Sequence, residues 1–212
     1  MLSGAVASAE EHLDADQKPV KKILFIGDSM TGWLSERLNA YGEKNGFEVQ
    51  TVVWDGSTIK KWASSPRLAE IIKKDNPDAV FVSLGMNELF EANPERQLKP
   101  SVEKIKHAVG DRRLLWVGPP SWPGYDKGKV LDDWLRREVG ERNYFPSLGL
   151  KIPRQSKKNP HPTRTGMIEW MDTVVNWLPQ HSDIRLITDT HPGASEMSRG
   201  KSFVYKRMKE TL

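Results

Sequence analysis

Apolar residues along this chain fall into short continuous runs, separated by longer stretches where they recur every three or four positions. Ile23-Leu24-Phe25-Ile26 is one such run, as expected of a strand buried on both faces of a parallel sheet. Over residues 30–44, Trp33, Leu34, Leu38 and Tyr41 stand at helical spacing, and Gly46 supplies a stop. Residues 47–53 read as a second strand, left through Trp54-Asp55-Gly56-Ser57-Thr58. Residues 59–74 predict a helix with a break at Ser64-Ser65-Pro66, followed by a turn at Asn76-Pro77-Asp78. A third buried strand, residues 79–84, ends in Gly85-Met86-Asn87-Glu88. Next come a helix over 94–109, a fourth strand over 114–117 and a Gly/Pro-rich loop over 118–124. Residues 129–139 predict another helix and 143–145 a short fifth strand. After a Lys-, Arg-, Ser- and Pro-rich loop over 146–162, Met167, Trp170, Met171, Val174, Val175 and Leu178 mark one face of a last helix.

Repeated strand–helix units imply right-handed crossovers and an α/β fold, a three-layer α/β/α sandwich with a mostly parallel, doubly wound sheet. With 212 residues, one domain is expected, spanning residues 22–180. Residues 181–212 fall outside that scheme, offering an apolar run at 184–187 and a basic, helix-like end. Residues 1–21 are expected to form a flexible N-terminal segment, polar over residues 10–21. Its Ala7-Ser8-Ala9 pattern is similar to the end of a secretory signal, without the apolar core and basic start. It reads either as the stump of a trimmed export signal, implying a periplasmic or secreted protein, or as a small-residue tail.

The absence of cysteine excludes thiol nucleophiles, disulfides and cysteine metal sites. A net charge of +4 is too small to argue for nucleic acid, and no apolar run is long enough to span a membrane. The five histidines show no metal-ligand spacing, so no metal is expected. Oligomeric state is not legible.

Ligands of open parallel sheets bind at the carboxyl ends of the strands, where the loops here carry Gly27-Asp28-Ser29, Gly56 and Gly85-Met86-Asn87. Ser29 alone reads as a helix N-cap. Together with an asparagine amide, a close-approach glycine and His161 before the last helix, it reads as a nucleophile beside a base. In this order the blocks Gly27-Asp28-Ser29, Gly56, Gly85-Met86-Asn87-Glu88 and His161-Pro162-Thr163 with Gly166 resemble those of the SGNH hydrolase superfamily, the GDSL-type esterases and lipases. The resemblance covers residues 22–179. It implies an SGNH, flavodoxin-like fold and a serine esterase. Ser29 would be the nucleophile, His161 the base, and Ser29, Gly56 and Asn87 the oxyanion donors. It implies no cofactor.

One position departs from the pattern. Where the family places an aspartate three residues before the histidine, this chain has Lys158, which cannot accept an imidazole N–H bond. Asn159 can accept it through its amide oxygen, and a backbone carbonyl or a carboxylate from elsewhere could also serve, so a Ser29–His161 dyad is expected with Asn159 as the candidate assistant. Trp54 and Trp122, flanking the proposed site, are candidate platforms for a sugar ring or acyl chain. Arg154, Lys157, Lys158 and Arg164 make the approach basic, and His191, in Asp189-Thr190-His191-Pro192, is a rival base. The leading expectation is an esterase acting on acyl, above all acetyl, esters of a carbohydrate. An O-acyltransferase with the same acyl-enzyme, and a non-catalytic glycan-binding scaffold, are the alternatives.

Overall fold

The computed structural model describes residues 18–122, 128–156 and 158–212 of the chain. Strand β1 (Lys22–Gly27) leads through α1 (Thr31–Asn45) to β2 (Glu48–Asp55). Helices α2 (Ile59–Ser64) and α3 (Arg67–Asp75) then cross to β3 (Ala79–Ser83). The chain continues through α4 (Pro94–Val109), β4 (Arg113–Val117), α5 (Lys129–Val139) and β5 (Tyr144–Phe145). A hairpin of β6 (Arg154–Ser156) and β7 (Asn159–Pro162) precedes α6 (Arg164–His181), and β8 (Phe203–Arg207) closes the sequence of elements.

Six strands form one sheet in the order β5-β4-β3-β1-β2-β8, every neighbouring pair parallel. Strand alternation splits the core in two. Ile23, Phe25, Phe81, Leu115 and Val117 point to the layer made by α1 and α6. Leu24, Ile26, Val80, Val82 and Trp116 point to the layer made by α2 to α5. The β1 apolar run is continuous because both its faces are covered.

Local signals set the helix ends. Thr58 caps α2 by accepting from the Lys61 N–H, and Asn93 caps α4 by accepting from the Arg96 N–H. The break between α2 and α3 falls at Ser65-Pro66, as the sequence predicts.

Two expectations are corrected. The basic end is no helix: β8 pairs with β2 in register Thr51↔Phe203 to Asp55↔Arg207 and adds a sixth strand. Residues 146–162 are not all loop, since β6 and β7 pair within them. The tail is fastened before it reaches the sheet. Arg37 of α1 pairs with Asp172 of α6 at 2.6 Å and donates to the Gly193 and Glu196 carbonyls. Residues 1–17, which carry the Ala-x-Ala segment, lie outside the described residues.

Candidate active site

Ser29 follows the carboxyl end of β1, between β2 and β3, where the chain leaves toward opposite faces of the sheet and opens a crevice. A Cβ on Gly27 would collide with the Ser83 carbonyl oxygen and Thr31 Oγ1, so glycine is required where β1 passes the end of β3. Asp28 shapes the turn that follows. Its Oδ1 accepts the Met30 N–H at 2.9 Å, and its carbonyl accepts the Thr31 N–H at 3.1 Å. Ser29 is left half-buried beside the N-terminus of α1.

His161 sits on β7, two residues ahead of the Thr163 cap of α6, whose Oγ1 accepts the Gly166 N–H at 3.1 Å. The Thr163 N–H donates to the Pro153 carbonyl at 2.9 Å, tying the cap back to the hairpin. His161 Nε2 lies 2.8 Å from Ser29 Oγ. On its other side, His161 Nδ1 lies 2.8 Å from Asn159 Oδ1, which also accepts the His161 backbone N–H at 3.0 Å. An amide oxygen only accepts, so Nδ1 carries the ring proton and Nε2 accepts the Ser29 hydroxyl. Lys158 takes no part in this chain of bonds; its backbone N–H is 3.3 Å from Ser156 Oγ.

The loops after β2 and β3, the strands that flank β1, meet each other, although neither Gly56 nor Asn87 lines the pocket at Ser29 and His161. Asn87 Nδ2 donates to the Ser57 carbonyl at 2.6 Å, laying the side chain against the Gly56-Ser57 loop. Gly56 itself has φ +73°. Glu88 spans the same gap, its Oε1 accepting the Ile59 N–H at 2.7 Å.

Two carboxyls here lie out of their ordinary range. Burial pushes Asp28 up to about 7, against the Met30 N–H, with Glu88 and Asp55 adding repulsion. Burial likewise pushes Glu88 up to about 7, opposed by the Ile59 N–H and Lys60. Asp28 Oδ2 and Glu88 Oε2 are buried with no hydrogen-bond partner among the described residues, which leaves the charged form poorly solvated. His161 is pushed down by burial, with Asp55 opposing and Arg154 reinforcing the shift.

A pocket of about 620 Å³ opens at Ser29 and His161. Trp33 and Glu36 of α1, Val53 and Asp55 of β2, and Gln155 of β6 line it. Arg199, Phe203 and Tyr205 of the C-terminal segment form a further wall. Arg199 pairs with Glu36 at 2.9 Å and lies over the Phe203 ring.

Neither predicted platform lines this pocket. Trp54 is 7% exposed on the opposite face of the sheet, edge-on to Trp62, and its Nε1 donates to the Arg207 carbonyl. β2 runs on to Asp55, so alternation sends Val53 and Asp55 toward the pocket and Trp54 away from it. Trp122 packs against Phe90 and the edge of the core. The rest of its loop, residues 123–127, lies outside the described residues.

The rival base is accounted for elsewhere, because His191 Nδ1 is 3.2 Å from the Tyr41 hydroxyl. Of the basic approach, Arg154 donates to the Ser121 carbonyl and Arg164 to the Ser195 carbonyl, while Lys157 lies outside the described residues. Among the described residues no cluster of His, Asp and Glu could hold a metal ion, and no helix is long and apolar enough to cross a membrane.

No family model matches the chain, and no curated protein sequence matches it. Solved structures do. A gut microbial diltiazem-metabolizing enzyme aligns at 12% identity and TM-score 0.59, over 77% of this chain and 48% of its own. A lipolytic protein of the G-D-S-L family from Desulfitobacterium hafniense aligns at 15% identity and TM-score 0.58, over 74% of this chain and 98% of its own. A two-domain esterase active on acetylated mannans aligns at 14% identity and TM-score 0.56, over 81% of this chain and 52% of its own. This chain thus spans about half the length of the first and third of these proteins. The shared feature is the fold, which is that of the SGNH hydrolases.

Proposed function

We propose that this chain, with its SGNH-hydrolase fold, is a serine esterase that removes acyl groups, acetyl foremost, from a carbohydrate. The observation that carries the reading is the unbroken chain of hydrogen bonds from Ser29 through His161 to Asn159 at the pocket. His161 Nε2 takes the hydroxyl proton as Ser29 Oγ attacks the ester carbonyl. The proton then passes to the departing sugar oxygen, leaving the acyl group on Ser29. Water, deprotonated by the same nitrogen, releases the acid. The N–H groups of Ser29 and Gly56 serve as oxyanion donors. Asn87 joins them through its second amide hydrogen, the first being held by the Ser57 carbonyl.

A carbohydrate substrate suits the pocket, which Trp33, Phe203 and Tyr205 line together with Glu36 and Asp55. Flat apolar faces beside planar hydrogen-bonding groups match the two kinds of surface on a sugar ring. Similarity in fold to an esterase active on acetylated mannans supports the same class. The Ala7-Ser8-Ala9 segment supports a periplasmic or secreted setting, where such glycans occur.

The test is turnover of a chromogenic acetyl ester by wild type and Ser29→Ala, with fluorophosphonate labelling alongside. Loss of the nucleophile should lower turnover at least about a thousandfold and abolish labelling. Equal turnover by the two proteins would exclude the reading.

A further inference from the structure

An asparagine in the place of a triad carboxylate raises a problem that a carboxylate does not. The two oxygens of a carboxylate are equivalent, whereas an amide presents oxygen on one side and nitrogen on the other. Only one of its two orientations can accept the proton on His161 Nδ1. The reversed orientation would offer Nδ2 to Nδ1, favouring the tautomer with its proton on Nε2. Nε2 could not then accept from Ser29.

The hairpin resolves this from both ends. On one side the His161 backbone N–H, a donor only, points at Asn159 Oδ1 at 3.0 Å. On the other, Asn159 Nδ2 donates to Gln155 Oε1 at 2.8 Å. Gln155 is an amide too, and its own orientation is set by an acceptor-only group: Gln155 Nε2 lies 3.3 Å from the Pro162 carbonyl. Polarity therefore runs one way from the Pro162 carbonyl through Gln155 and Asn159 to His161 and Ser29. Arg154↔Pro162 and Ser156↔Asn159 are paired across β6 and β7 with a register shift between them, so Gln155 sits at the irregular step of the hairpin, bonded to both its partners.

We propose that Gln155 is a positioning residue, fixing the Asn159 amide so that His161 holds its proton on Nδ1 and presents a bare Nε2 to Ser29. It acts through Asn159 and touches no reacting atom in this role. The inference rests on the Ser29–His161 esterase reading, but the tautomer it specifies exists without substrate and can be observed apart from activity.

The experiment combines two readouts on the full chain. Nitrogen-15 NMR of labelled histidine, with the His161 signal assigned by its loss in His161→Gln, should show the Nδ1–H form in wild type. In Gln155→Leu the signal should move toward the Nε2–H form, which imidazoles favour in water. In the acetyl-ester assay the same change should lower kcat about fivefold, the worth of one ordinary hydrogen bond, with a smaller effect on KM. Gln155→Glu keeps the acceptor for Asn159 Nδ2 and should restore kcat. In an Asn159→Asp background, where the acceptor has no wrong side, Gln155→Leu should cost little. An unchanged His161 tautomer in Gln155→Leu would overturn the proposal. So would a kcat loss from Gln155→Leu that is as large in the Asn159→Asp background as in the wild-type one. Failure of the esterase reading would instead show as full activity in Ser29→Ala, with the NMR result standing on its own.

Discussion

At the scale of single residues, the proposed base His161 has an amide and no carboxylate directly behind it. In a serine protease whose triad aspartate is changed to asparagine, turnover falls about 10⁴-fold because the histidine takes the wrong tautomer. Here the amide oxygen already faces Nδ1 at 2.8 Å, so the tautomer is right and only the charge is missing. That absence weakens the hold on the imidazolium. Burial pushes His161 below the ordinary imidazole value, and Asp55 across the pocket partly offsets it. A base must be neutral to accept a proton. The acid limb of kcat/KM is therefore expected below about pH 6.5, the unperturbed imidazole value. Asp55→Asn removes the opposing charge and should move that limb lower still. A pH–rate profile of the two proteins checks both statements, and a limb above 6.5 in wild type would contradict the first.

Elements differ in how openly the sequence announces them. β1 is legible because burial on both faces demands four consecutive apolar residues, and α6 because one face of it meets the core. β8 is not, since Val204 and Tyr205 are exposed and two of its five residues are cationic. It is held by backbone pairing to β2, which leaves no hydrophobic pattern. The β6–β7 hairpin is hidden for the same reason. Asn159 is legible as the partner of His161 because only acceptors fit there, while Gln155, four residues earlier, carries no signal until the hairpin brings it back. Ending the second strand at Val53 frees Trp54 for the site; one more pair of residues in that strand buries it. The strand-end loops also carry a cost that sequence does not show. Asp28 and Glu88 bury carboxyls that titrate near 7 in the fold and near 4 when unfolded. Between those values the folded chain keeps protons that the unfolded chain releases. Their contribution to stability is thus complete below about pH 4 and is lost as pH rises through about 7. Asp28→Asn and Glu88→Gln retain the acceptors for Met30 and Ile59 but cannot ionise. Each should shrink the fall in Tm between pH 5 and pH 8, by on the order of 5 °C. Thermal unfolding at the two pH values reads this directly, and an unaltered fall would mean these carboxyls ionise freely.

At the scale of the whole molecule, the pocket exists because the tail returns to the body of the fold, and α1 holds it there. Arg37, with its side chain only 3% exposed, pairs with Asp172 and donates to the Gly193 and Glu196 carbonyls. A little further along, the Ser198 N–H donates to the Glu36 carbonyl, and Arg199 pairs with the Glu36 side chain. Only then does the chain enter β8, where Phe203 and Tyr205 face the pocket. A single guanidinium thus links α1, α6 and the segment that carries three pocket residues. Replacing Arg37 by Met keeps the aliphatic stem but leaves two carbonyls without this donor and Asp172 with the Tyr41 hydroxyl and solvent. Breaking a half-buried pair in this way costs about 2 kcal/mol, or roughly 4–8 °C in Tm for a chain of this size. The consequence for function follows from geometry. Ser29, His161 and Asn159 make no bond to Arg37, so kcat should change less than KM. The pocket wall is loosened, so KM should rise, by about fivefold if one good contact with substrate is lost. Steady-state kinetics well below the new Tm separate the two effects. A lowered Tm with unchanged KM would show that substrate does not use the wall built by the C-terminal segment.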